Sequence, residues 1–96
     1  MNLIQHFVDG KVFKGSSKRT SKVFNPAVGE QTSEVVLATK DDVNNTVDIA
    51  KKAFLSWSQK TPLFRARVLF KFKELIEKNS DLLTKIIVSE HGKVYE

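Results

Sequence analysis

Two histidines, two adjacent aspartates and two adjacent serines are the side chains from which this chain would have to build an active centre, and their spacing assembles none. His6 belongs to an apolar-rich stretch beside a tight turn and has no evident base or acid partner. His91 precedes Gly92 at the end of a helical pattern, where an imidazole complements the helix dipole, so it reads as a terminal cap. Asp41 and Asp42 fall in the first turn of another helix and complement the dipole there before they make a metal pair. Ser16 and Ser17 lie in the polar loop "GSSKRTS". "DGK" (9–11) and "HGK" (91–93) are too short for a phosphate loop, and Lys93 after Gly92 is a lone Gly-Lys. With no cysteine, thiolate catalysis, disulfides and cysteine–zinc sites are excluded within these residues. The reading assigns no catalytic, no cofactor-binding and no metal-binding residue to the chain.

Charge offers one other route to function. Sixteen Lys and Arg against eleven Asp and Glu leave a net charge of +5, which invites a polyanion. The basic residues are spread along the chain and mixed with acids, the pattern of a solvated surface. "MNLIQHFVDG" has no basic n-region or long apolar run and is not read as a secretory signal. No stretch approaches the ~20 apolar residues of a membrane span. The expectation is a cytoplasmic chain with no membrane and no nucleic-acid partner, of a length that suits one domain.

The elements that would position these groups change period near residue 38. In "HFVDGKVF", Asp9-Gly10 between apolar flanks predicts a hairpin, because a type I′ turn needs positive φ at both central residues. A strand ending near Phe24, a turn at "NPAVGE" and a strand around 34–38 follow. Pro26 presets the turn and Gly29 exits it. Strands and turns thus occupy about 4–38. Three helices are predicted over about 40–58, 62–78 and 80–91. Thr39 caps the first, with Asp42 a weaker partner than the Glu or Gln of a full capping box. Val43, Val47, Ala50, Phe54 and Trp57 form its apolar face. Thr61-Pro62 starts the second. Ser80 caps the third, whose stripe is Leu83, Ile86 and Ile87, and Gly92 stops it.

"TPLFRARVLFKFKELIEKNS" (61–80) decides between a nucleic-acid helix and a core helix. At ~100° per residue, Val68, Leu69, Phe72, Leu75 and Ile76 share an arc of about 120°. Arg67, Lys71, Glu74 and Lys78 line the far side, with Glu74 set to pair with Lys78. An acid inside the basic row argues for a solvated face. Phe70 falls outside the stripe, with Ala66 beside it and Leu63 near; two readings stand equally, an exposed phenylalanine of a common kind and a helix that touches a second layer or a partner.

Taken together, "HFVDGK", "VFNPAVGE", "AKKAFLSWS", "RARVLFKFKELIEKN" and "SEHGK" resemble, in order and spacing, the amino-terminal region of the aldehyde dehydrogenase superfamily. "HFVDGK", "PLFRARVLFKF" and "EHGK" are similar to its CoA-acylating branch, the methylmalonate-semialdehyde dehydrogenases. Val28 departs from the threonine usual in that turn. "KVYE" stops where the family continues.

The resemblance implies an α/β fold: the amino-terminal segment of an NAD-binding domain, short strands and a hairpin followed by three helices, with the catalytic domain absent from residues 1–96. It implies NAD and coenzyme A as cofactors of the full-length enzyme and a cysteine nucleophile that lies beyond these residues. The reaction implied is oxidative decarboxylation of methylmalonate or malonate semialdehyde to propionyl-CoA or acetyl-CoA, in valine catabolism among other pathways. The partners implied are the remainder of the dehydrogenase fold or full-length subunits, as a homotetramer. The chain alone is expected to bind neither cofactor and to be inactive. The alternatives are the amino-terminal part of another aldehyde dehydrogenase, or a small basic nucleic-acid-binding or subunit-docking module.

Overall fold

The computed structural model describes residues 2–95. Five short strands precede three helices: β1 (Asn2–Ile4), β2 (His6–Val8), β3 (Lys11–Phe13), β4 (Thr20–Asn25), β5 (Glu30–Val36), α1 (Lys40–Trp57), α2 (Pro62–Lys78) and α3 (Ser80–His91). The change of period near residue 38 is therefore the change from strand to helix.

The strands make two separate sheets. β2 and β3 form an antiparallel hairpin in which His6 faces Phe13 and Val8 faces Lys11. Its turn is the expected one, with Asp9 at φ 55° and Gly10 at φ 73°. β4 and β5 pair antiparallel around residues 26–29, where the Asn25 carbonyl accepts the Gly29 N–H at 2.8 Å and the Asn25 side chain accepts the Ala27 N–H at 3.0 Å. β1 adds to β5 in parallel, Leu3 opposite Glu34, giving the order β1-β5-β4. Sequence reading missed β1, because three residues carry no period and a parallel partner 31 positions away leaves no local signal.

Local chemistry sets the helix ends. Both arms of a capping box are present at α1: the Thr39 side chain accepts the Asp42 N–H at 3.1 Å, and the Asp42 carboxylate accepts the Thr39 N–H at 3.0 Å. Aspartate here serves fully in the role that the sequence reading gave more readily to Glu or Gln. At α2, Thr61 accepts the Phe64 N–H at 3.1 Å and Pro62 occupies the first turn. Ser80 does not cap α3. It is the first helical residue, Asn79 takes the cap position without a side-chain cap bond, and the Asn79 amide instead donates to the Leu75 carbonyl at 2.8 Å. Two helices joined through one residue leave Ser80 no room to stand outside the second. Gly92 ends α3 at φ 67°, donating its N–H to Val88.

A core is what this architecture lacks. Among the described residues, Val36 is the apolar side chain that is buried, at 3% exposure. The molecule is a plate with extents of 48 × 37 × 15 Å and a radius of gyration of 17.1 Å, against about 12.5 Å for a compact domain of this length. Its accessible surface is 8106 Å², where a folded monomer of this mass exposes about 5,600 Å². The stripe on α2 that sequence reading turned toward a core faces outward, with Leu69 60% and Phe72 59% exposed. Periodicity finds an apolar face correctly but does not say whether the chain itself covers it.

Candidate functional site

Three of the polar residues singled out in the sequence, Ser16, Thr39 and Asp42, meet at the start of α1. The Asp42 carboxylate accepts the Ser16 N–H at 3.2 Å and the Ser16 hydroxyl at 3.3 Å, besides the Thr39 N–H. Ser16 Oγ also lies 3.1 Å from Thr39 Oγ1. Gly15, at φ 81°, brings its backbone so close that a Cβ there would stand 2.6 Å from Asp42 Oδ2. Ser17 is buried and its Oγ accepts the Arg19 N–H at 2.9 Å. Hydrogen bonds to the charged form, that from the Thr39 backbone foremost, hold the Asp42 carboxyl below its ordinary value against the opposing effect of burial. A carboxylate so saturated and so weakly basic is a structural pin, unsuited to proton abstraction.

The other candidates stay apart from it and from each other. His6 stands over Phe13 with ring centroids 6.2 Å apart, and its Nε2 is enclosed without a hydrogen-bond partner. His91 is exposed in the last turn of α3. Asp41 and Lys93 are exposed. Among the described residues, no three His, Asp or Glu side chains gather as a metal-ligating group. A concavity of about 340 Å³ lies between the β2–β3 hairpin and α1 and is lined mostly by apolar groups, Phe7, Val8, Val43 and Val47 among them.

Helix N-termini are the natural seat of a pyrophosphate. Those of α1 and α2 are taken by their own caps, and at α1 a carboxylate occupies the place a phosphate would need.

On α2, the ion pairs differ from the expected Glu74–Lys78. Glu74 accepts from Lys71 at 3.4 Å, and Lys73 meets Glu77 at 2.9 Å. All four side chains are well exposed, so the choice among neighbours separated by three or four residues carries little energy. Trp57 meets Phe64 edge-on, ring centroids 6.4 Å apart, with the Lys60 ammonium 5.0 Å from the Phe64 ring centroid. This aromatic contact joins the end of α1 to the start of α2.

Sequence reading overlooked Arg65. At ~100° per residue it falls inside the apolar arc of α2, between Phe72 and Ile76 and on the side away from Arg67 and Lys71. It is half-buried, and its Nε is enclosed with no hydrogen-bond partner. The first turn of α2 also lacks an acid. The signal was available: a cation at an apolar position of the stripe, in a helix first turn where positive charge is disfavoured.

Comparison with known proteins completes the picture. The sequence model of the Aldehyde dehydrogenase family matches residues 13–96. A Bacillus cereus malonate-semialdehyde dehydrogenase is 39% identical over 93 residues, 97% of this chain and 19% of the relative. A D-glyceraldehyde dehydrogenase (NADP(+)) from Picrophilus torridus is 40% identical over 88 residues, 92% of this chain and 18% of the relative. In three dimensions the chain superposes, with a TM-score of 0.95 and 41% identity, on a protein from Sinorhizobium meliloti assigned as a methylmalonate-semialdehyde dehydrogenase and solved with NAD. That match covers 99% of this chain and 19% of the other. The chain thus spans about a fifth of the length of the relatives it matches.

Proposed function

The chain belongs to the aldehyde dehydrogenase family, and from that premise we propose that it is the amino-terminal part of an NAD-dependent, CoA-acylating methylmalonate-semialdehyde dehydrogenase. The whole protein would oxidise and decarboxylate methylmalonate or malonate semialdehyde to propionyl-CoA or acetyl-CoA. The proposed setting is valine catabolism, in the cytoplasm. The subunit would assemble as a homotetramer.

Within that enzyme, residues 1–96 are a scaffold at the edge of the NAD-binding domain. They supply no nucleophile, no proton-transfer group and no nucleotide cradle. Their work is to present three preformed helices, the hairpin and the mixed sheet to the rest of the subunit. The observation that carries this reading is the pairing of near-complete superposition on one fifth of a dehydrogenase with a plate that has almost no core of its own. Such a plate makes physical sense as one layer of a larger fold.

A covalent chimera tests it. The chain replaces the superposing stretch of the Sinorhizobium meliloti protein, and NADH production is followed with methylmalonate semialdehyde, with and without coenzyme A. Activity at the parent's level that depends on coenzyme A is expected, with no turnover from the 96-residue chain alone. A soluble chimera without activity, or turnover by the chain itself, would overturn the assignment.

A further inference from the structure

We propose that the apolar stripe of α2, centred on Arg65, is a docking surface for the remaining part of a dehydrogenase subunit, able to form in trans, and that this partner brings a carboxylate or carbonyl acceptor to the Arg65 guanidinium. The inference rests on the reading above and adds the surface, its chemistry and its independence of a covalent link.

Three observations converge on it. The chain exposes about 2,500 Å² more than a folded monomer of its mass. A standard stable interface needs about 800 Å² from each partner, so the surplus is enough for association without a peptide bond to help. α2 is apolar on more than one side, with Leu69 at 60% exposure and Phe70 at 68%, the mark of a helix meant to be covered. Within that apolar field stands one cation, Arg65, half-buried, with its Nε unpartnered and no ion pair among the described residues.

The elements are also ready before any partner arrives. The α1 capping box, the Thr61 cap and the positive-φ turn at Asp9-Gly10 are satisfied within the chain. The helix starts and the turn are thus set before docking, and local preorganisation of this kind favours affinity, while the uncovered faces gain their packing from the partner. An arginine pressed into an apolar interface without an acceptor would oppose docking strongly. The partner surface must therefore be apolar around an acceptor that reaches Arg65.

The test co-expresses the tagged 96-residue chain with the Sinorhizobium meliloti protein trimmed of the superposing stretch. The expected result is a soluble one-to-one complex, with the trimmed protein insoluble or unstable alone. Phe72→Asp and Arg65→Met should each weaken the complex at least tenfold, while Lys78→Gln, on the charged row, should leave it unchanged. Trimmed protein that stays insoluble with the chain present, or that is soluble and does not co-elute, overturns docking in trans. Arg65→Met binding as tightly as the parent overturns the acceptor. The two readings fail separately: an active covalent chimera with no complex in trans removes only this inference, and a tight complex in trans beside a soluble but inactive covalent chimera removes only the proposed function.

Discussion

The Asp42 carboxylate receives the backbone N–H of Ser16 at 3.2 Å, across 26 positions of sequence, while it also closes the capping box on Thr39. One side chain thus fixes where α1 begins and where the loop after the hairpin lies. Asp42, read in sequence as a complement to the helix dipole, is in three dimensions also a joint between the strand region and the helices.

That joint is pH-sensitive, with a definite sign. The folded Asp42 carboxyl titrates below its ordinary value of 3.8, so its contribution is fully present above that value. It is lost as pH falls through the lower, folded value. The protection of the Ser16 and Thr39 amides, measured against the unstructured exchange rate at the same pH, should fall on acidification below pH 3.8. Asp42→Asn should exchange faster at every pH and show no such dependence. An unchanged profile in Asp42→Asn would show that another group holds the loop.

Gly15→Ala strikes the same joint from the other side. The backbone there has φ 81°, a region that costs an L-residue about 1–2 kcal/mol. The new Cβ would in addition meet Asp42 Oδ2 at 2.6 Å. Amide protection of Ser16 should fall roughly tenfold or more, with 1.4 kcal/mol for each factor of ten. Gly10→Ala, with nothing within 4 Å of the new Cβ, should show the backbone cost without the clash.

Tyr95 is the single tyrosine of the chain, so its titration can be read directly by ultraviolet absorbance. Its hydroxyl donates to Asp81 Oδ1 at 2.6 Å, tying the segment after α3 to the start of that helix. The hydrogen bond to Asp81, with burial and the carboxylate charge behind it, raises the phenol above its ordinary value of 10.0. The tie is therefore complete below pH 10.0 and lost as pH rises through the folded value. Asp81→Asn should move the absorbance change to lower pH; no movement would mean that the contact is not made in solution.

The uncovered faces predict the behaviour of the chain by itself. It should bind an apolar fluorescent dye, sediment as a self-associating species and melt without a sharp transition. A monomer with a cooperative two-state melt would contradict a plate that depends on a partner layer. Replacing Glu77 by Gln should matter far less. Its pair with Lys73 is exposed, and such a contact is worth about 0.3–0.5 kcal/mol and is screened by salt.

Sequence alone determined the features whose causes are local. The Asp9-Gly10 turn, the Thr39 and Thr61 caps, the Gly92 stop and the bounds of α2 and α3 each follow from residues within about one helical turn of each other, and each was legible. The apolar arcs of the helices were legible too, because a period of 3.6 is itself local. Tertiary structure decided what depends on distance. It placed β1 against β5 in parallel and brought Ser16 to Asp42. Above all, it decided which apolar faces the chain covers for itself. Hydrophobic pattern records that a face must leave water; only the packed arrangement says whose atoms will exclude that water. Here the described residues leave the apolar stripe of α2 uncovered, with Leu69 and Phe72 exposed.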